Sequence, residues 1–398
     1  MSKKWIILLT VFIDVLGVGI IIPVLPFYAS SLGFSDSGIT LLSAVYSLCA
    51  FLSAPVLGAL SDRVGRKPVL IGSILSTSLG WLVFALASNP LMLYVGRIID
   101  GLAAGNFSTA QAYLSDISRD AKERSHNLGL IGATFGVGFI FGPLFGGLLG
   151  AFSHTLPFFV VSILAFGNSL LVWVFLPETL TRNETKHRFS FSTINPFIPL
   201  RRALHNKALK SGLISWLLFS VAISIQQSIS SLFIARTLGF SEFGAGIYMS
   251  LIGVAIALNQ GIFIRKFWLK QFKESSLSIY MFLVLAIGFA VTSIGSLWGI
   301  ACGAIGLVLG QSILRIVITS EVISLSNEKK GEVLGVLSSL MSIGMVIGPL
   351  FAGFVFSIFA AFPLMISTIV SLVGFMLMLR SKPLLVDKGI AIDQPEAF

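Results

Sequence analysis

Three charged side chains sit inside long apolar runs, where charge is costly: Asp14, Arg97 and Arg315, with Asp100 one helical turn beyond Arg97. An aspartate at the centre of a membrane span costs about 2.5–3.5 kcal/mol on insertion scales. Asp14 lies nine residues into the run that begins at Trp5, roughly 13 Å along a helix rising 1.5 Å per residue and near the middle of a 30 Å hydrocarbon layer. Such a carboxyl usually faces a wet cavity and often relays protons, the plainer reading being a hydrogen-bonded structural aspartate. Arg97 and Asp100, three residues apart, share a helix face; Asp100 is either a second proton site or a charge partner. Arg315 needs an anionic partner or a cavity, which leaves an anionic substrate group or Glu321.

The elements that must position these groups are membrane spans. With 55% hydrophobic residues, 11% charged and a mean hydropathy of +0.95, the chain cannot hide its apolar surface in a soluble core. We expect an all-α membrane protein of twelve transmembrane helices, near residues 5–25, 38–60, 69–87, 91–114, 128–151, 156–176, 209–232, 244–264, 277–297, 299–320, 333–356 and 362–379. The first is read as an uncleaved crossing ended by Pro23 and Pro26. Two six-helix bundles follow, over 1–180 and 209–398, joined by a cytoplasmic linker over 181–208.

Of the 27 basic residues, all but Arg97, Arg236 and Arg315 fall on the side of the N terminus. That asymmetry places both termini in the cytoplasm, so the net charge of +10 reports orientation and not nucleic-acid binding. Cys49 and Cys302 lie far apart in apolar runs and offer neither a disulfide framework nor a zinc spacing. All four histidines, at 126, 154, 187 and 205, are expected in loops. No metal, cofactor or enzyme motif is found in a loop long enough to hold an active site.

Two features recur between the halves. Gly138-x3-Gly142-Pro143-x2-Gly146-Gly147 returns as Gly344-x3-Gly348-Pro349-x3-Gly353, 206 residues on, and the charged hinge Gly58–Leu70 returns in weaker form at Gly261–Lys266. A repeat of six crossings is a transporter architecture with its substrate site between the halves. In the hinge, Asp62 among Arg63, Arg66 and Lys67, flanked by Gly58 and Gly65, fits a tight turn whose acid sits at a neighbouring helix N terminus and pairs with arginine. Topogenic charge and lipid binding are the alternatives. The Gly-Pro run has a purely structural reading, close packing and bending of helices.

These stretches resemble the Major Facilitator Superfamily, and within it the twelve-helix drug:proton antiporters. The carriers are the loop signature at Gly58–Leu70, the first-helix motif from Asp14 to Pro26, Gly96-Arg97 with Gly101 in the fourth helix, and Gly138–Gly147 in the fifth. The resemblance implies two six-helix bundles related by a pseudo-two-fold axis and proton-coupled export of hydrophobic or amphipathic molecules by alternating access. It further implies proton coupling at Asp14, Arg97 and Asp100, a cytoplasmic gate at the hinge, and a monomer in a bacterial cytoplasmic membrane whose partners are small molecules, protons and lipid. The tetracycline exporters look most similar, although their acids in the third and ninth helices and histidine in the eighth have no counterpart here. The alternative is an uptake symporter or facilitator for a sugar or other metabolite. Polar candidates for the substrate cavity are Tyr46, Asn106, Gln111, Tyr113, Gln226, Gln227, Asn259, Gln260 and Arg315.

Overall fold

A computed structural model describes residues 3–180, 200, 201, 203, 205–326 and 330–386. The expected linker over 181–208 therefore lies largely outside the described residues. Eleven helices among those described are long and apolar enough to cross a bilayer, and no strand is present among them. The helices run in order α1 (Lys3–Ser31), α2 (Asp36–Val64), α3 (Arg66–Ala85), the shorter pair α4 (Pro90–Leu102) and α5 (Asn106–Asp116), which are not among the eleven, α6 (Ala121–Phe152), α7 (Leu156–Phe175), α8 (Lys207–Leu238), α9 (Glu242–Leu258), whose span continues to Gln271, α10 (Glu274–Thr292), α11 (Leu297–Ser324), α12 (Lys330–Ile358) and α13 (Phe362–Val386). The pair α4 and α5 together has the length of the twelfth span.

Several boundaries differ from the sequence expectation, each for a local reason. Pro23 and Pro26 lie inside α1 instead of ending it, as prolines in membrane helices are tolerated where the surrounding protein absorbs the two lost bonds; nearby, the Ser231 hydroxyl donates to the Pro23 carbonyl at 2.9 Å. The helix α6 begins seven residues before its apolar run and carries His126, so that histidine is helical, as is His205. An N-cap starts it: Asp120 accepts from the Glu123 N–H at 2.7 Å, and Glu123 reaches back to accept from the Arg119 N–H at 2.9 Å. The fourth crossing is not continuous but breaks at residues 103–105. There Gly101 lets α2 approach so closely that an added Cβ would stand 2.7 Å from Cys49 Cβ and 2.9 Å from the Tyr46 carbonyl, and Ser53 donates to the Gly101 carbonyl at 2.8 Å.

The faded copy of the hinge at Gly261–Lys266 is no turn. The chain runs on from α9 as a π-helix over Asn259–Trp268, ending in a helical turn at Leu269–Gln271. A π-helix of this length is rare, and a hydrogen-bonded knot ties it to α11: Trp268 Nε1 donates to Asn259 Oδ1 at 3.0 Å while Asn259 Nδ2 donates to Ser312 Oγ at 2.6 Å.

The chain forms two compact units, Met1–Asn195 with Ser230–Val254, and Pro196–Ile229 with Ala255–Phe398. In the first, α6 lies on α1 with backbone against backbone. A Cβ at Gly138 would meet Val15 at 2.8 Å, and one at Gly142 would meet the Gly19 Cα at 2.7 Å. In the second, α12 lies as closely on α8: a Cβ at Gly344 would meet Ser220 Cβ at 2.8 Å, and one at Gly348 would meet Ser224 Oγ at 2.7 Å. The glycines are offset by 206 residues (138 to 344) and their partners by 205 (15 to 220), so the repeat extends from motif to helix pairing. Within the first unit a core of Ile7, Val11, Leu70, Tyr113, Ala165 and Val172 joins α1, α3, α5 and α7.

Candidate functional site

The break between α4 and α5 decides where the polar groups of the first unit meet. Asn106, the first residue of α5, is buried and donates from Nδ2 to Asp14 Oδ1 at 2.9 Å and to Thr77 Oγ1 at 3.4 Å. Thr77 lies beside the Asp100 carboxyl as well. Asp100 faces Arg97, with 3.8 Å between Oδ2 and Nη1. A polar chain thus runs Asp14, Asn106, Thr77, Asp100, Arg97 across α1, α5, α3 and α4. Thr77 is the member that sequence reading missed, because a threonine in an apolar run carries no signal of its own.

Arg97 is held by aromatic faces as well as by charge. Its guanidinium carbon lies 5.2 Å from the Tyr46 ring centroid, 5.4 Å from Trp81 and 5.3 Å from Phe84, where cation–π attraction helps to compensate lost water. Its Nε and the Asn106 Oδ1 are buried with no hydrogen-bond partner among the described residues. Close contact of α3 with α4 makes this possible: a Cβ at Gly80 would meet the Gly96 carbonyl at 2.9 Å and Asp100 Cβ at 3.0 Å.

The hinge has Arg66 at its centre. The guanidinium meets Asp62 at 2.5 Å, Asp116 at 3.0 Å and the Ser61 hydroxyl at 2.7 Å. Asp62 does not sit at a neighbouring helix N terminus, because α2 continues to Val64 and holds it within its last turn. Glu178, just after α7, takes that place: its carboxylate accepts from the Arg66 N–H at 2.9 Å and the Lys67 N–H at 3.1 Å at the start of α3. Gly65 alone makes the turn, with φ 120°, and a Cβ there would run into the Glu178 carboxylate. Gly58 is helical with open space beside it, and Arg63 is exposed with no ion pair among the described residues. Asp116 and Glu178 were legible only as charges flanking apolar runs.

The remaining candidates scatter. In the first unit Tyr113 is fully buried and donates from its hydroxyl to the Pro177 carbonyl at 2.8 Å, a structural bond. Tyr46 stacks on Arg97, and Gln111 is half-buried on α5. In the second, Asn259 is committed to the π-helix, Gln226, Gln227 and Gln260 are half-buried, and Arg315 is exposed, with no ion pair to Glu321 among the described residues. Gly146 packs on the Ile20 backbone, a Cβ added at Gly147 would stand 3.0 Å from the Gly246 Cα of α9, and Pro143 Cδ lies 3.1 Å from where a Gly19 Cβ would be. The Gly-Pro run is therefore a packing device. No cluster of three or more potential metal ligands is present among the described residues.

Known proteins agree with this architecture. The family model described as Major Facilitator Superfamily matches residues 7–324. The chain is 30% identical over 352 residues to the class C tetracycline resistance protein of Escherichia coli, covering 87% of each chain. To the quinolone resistance protein NorA of Staphylococcus aureus it is 28% identical over 395 residues, 96% of this chain and 97% of that one. The solved structure of a bacterial homologue of the human lysosomal transporter Spinster superposes with a TM-score of 0.79 at 16% identity, over 99% of this chain and 98% of that one. The chain belongs to the Major Facilitator Superfamily.

Proposed function

We propose that this integral, multi-pass membrane protein is a proton-coupled exporter of hydrophobic or amphipathic small molecules. It would work by alternating access in a bacterial cytoplasmic membrane, with both termini cytoplasmic. The observation that carries the reading is the Asn106 bridge, which joins the mid-membrane Asp14 to Asp100 and Arg97 through Thr77. The names of the relatives, tetracycline resistance and quinolone resistance, support export of drug-like substrates.

The geometry supplies a means for the first acid to inform the second. An ionised Asp14 accepts from Asn106 Nδ2. Once protonated it gains an O–H donor, and the unpartnered Asn106 Oδ1 is the acceptor at hand for it. Turning the carboxamide would present Oδ1 to both Asp14 and Thr77, and the Thr77 hydroxyl would then leave Asp100 free to exchange its proton or tighten on Arg97. Asn106 opens α5, so a change there acts at the broken point of the fourth crossing, where discontinuous helices commonly form transport sites. The Arg66 cluster would latch the cytoplasmic ends of α2, α3, α5 and α7, opening and closing with each cycle. The protein would do this as a monomer, from two halves over 1–180 and 209–398.

The test is the direction of coupling. In proteoliposomes with an acidic interior, adding an amphipathic drug outside should release the stored protons as drug enters. An uptake symporter would instead drive drug and protons the same way, and that result would reverse the assignment.

A further inference from the structure

Beside Asp14 lies a small space bounded by Thr10, Ile74, Thr77, Trp81 and Asn168 of α7. Measured over the positions a water centre can take, its volume is about 10 Å³, close to the smallest space that holds one water. Five of the side chains around it carry polar atoms, Thr10, Asp14, Thr77, Asn168 and, through its indole N–H, Trp81. Asn168 is buried, and its Oδ1 accepts from the Thr10 hydroxyl at 3.1 Å. Among the described residues its amide nitrogen donates to no protein group, and Asp14 accepts no hydrogen bond beyond the one from Asn106. One water in a polar space with two to four partners satisfies such groups.

We propose that Asn168 holds a single water against the Asp14 carboxyl and so acts as a positioning residue for the proton site. The inference rests on the reading of Asp14 as that site. Asn106 then reads the carboxyl from α5 while the water hydrates it from α7, which ties the sixth crossing to proton loading. Asn168 is the one amide in an otherwise apolar and hydroxyl-bearing α7, a location that a purely packing role would fill as well with leucine.

The experiment compares Asn168→Leu with Asn168→Ser in proteoliposomes, recording proton-driven exchange across pH and thermal stability in detergent. Leucine occupies about the same volume but dries the space, whereas serine leaves a larger space that still takes a water. We expect Asn168→Leu to fold, to lose about tenfold in exchange at neutral pH and to move the half-maximal pH by about one unit, the equivalent of that factor. Asn168→Ser should stay within about threefold with an unmoved pH profile. A Leu variant with an unchanged profile, or a Ser variant as impaired as Leu, would overturn the inference in favour of packing. The parent reading fails separately, if Asp14→Asn itself exchanges normally.

Discussion

Asn106 Nδ2 donates to Asp14 Oδ1 at 2.9 Å, so the first residue of a helix begun in mid-crossing is bonded to the carboxyl at the centre of α1. The bond exists because the fourth crossing breaks at 103–105; an uninterrupted helix would set Asn106 at a different rotation and depth. Asn106→Leu keeps the volume and removes both donated bonds. Leaving a buried acceptor unmet costs about 1–3 kcal/mol, and we expect proton-coupled exchange to fall by about tenfold or more, with near-normal insertion measured by the amount of protein in the membrane.

At the hinge, the two acids on the α3 side should differ in weight. The Asp62 side chain is 58% exposed, and such a pair contributes about 0–1 kcal/mol. Glu178 caps α3 through two backbone N–H groups, a role worth about 1 kcal/mol or more. Glu178→Ala should therefore lower the melting temperature in detergent and the transport rate more than Asp62→Asn does; the reverse ranking would remove Glu178 from the latch.

Gly142→Ala tests the α1–α6 contact. The new Cβ would stand 2.7 Å from the Gly19 Cα, which is backbone and cannot swing aside, whereas Gly136 on the same helix has nothing within 4 Å. We expect Gly142→Ala to be destabilising by about 1–3 kcal/mol through overpacking and Gly136→Ala to be neutral or stabilising by about 0.5–1 kcal/mol. Thermal unfolding of the two purified variants side by side checks this.

Much of the fold was legible because membrane spans are written in long apolar runs, and the Gly-Pro motif with its 206-residue echo marked both packed helix pairs. What escaped is set by short-range or tertiary chemistry. The start of α6 lay in the Asp120 cap, outside the apolar run. The passage of α1 through Pro23 and Pro26 runs against the local reading of proline as a helix end. Of the site, the charged members Asp14, Arg97 and Asp100 stood out by cost alone. Thr77 and Asn168 did not, since hydroxyl and amide groups are common in membrane helices, and Glu178 gains meaning only when α7 ends beside α3. Tyr113 and Asn259 looked like cavity polars from sequence, yet their hydrogen bonds are internal to the fold.

The central claim is that Asp14 carries the coupled proton. The most direct measurement is proton flux accompanying drug movement in proteoliposomes with an imposed pH gradient, wild type against Asp14→Asn at equal reconstituted protein. Asparagine preserves the shape and an acceptor oxygen, so folding should be unaffected while drug-dependent proton flux disappears and gradient-driven accumulation falls to the level of empty liposomes. Unchanged proton flux and drug accumulation in Asp14→Asn would contradict the account.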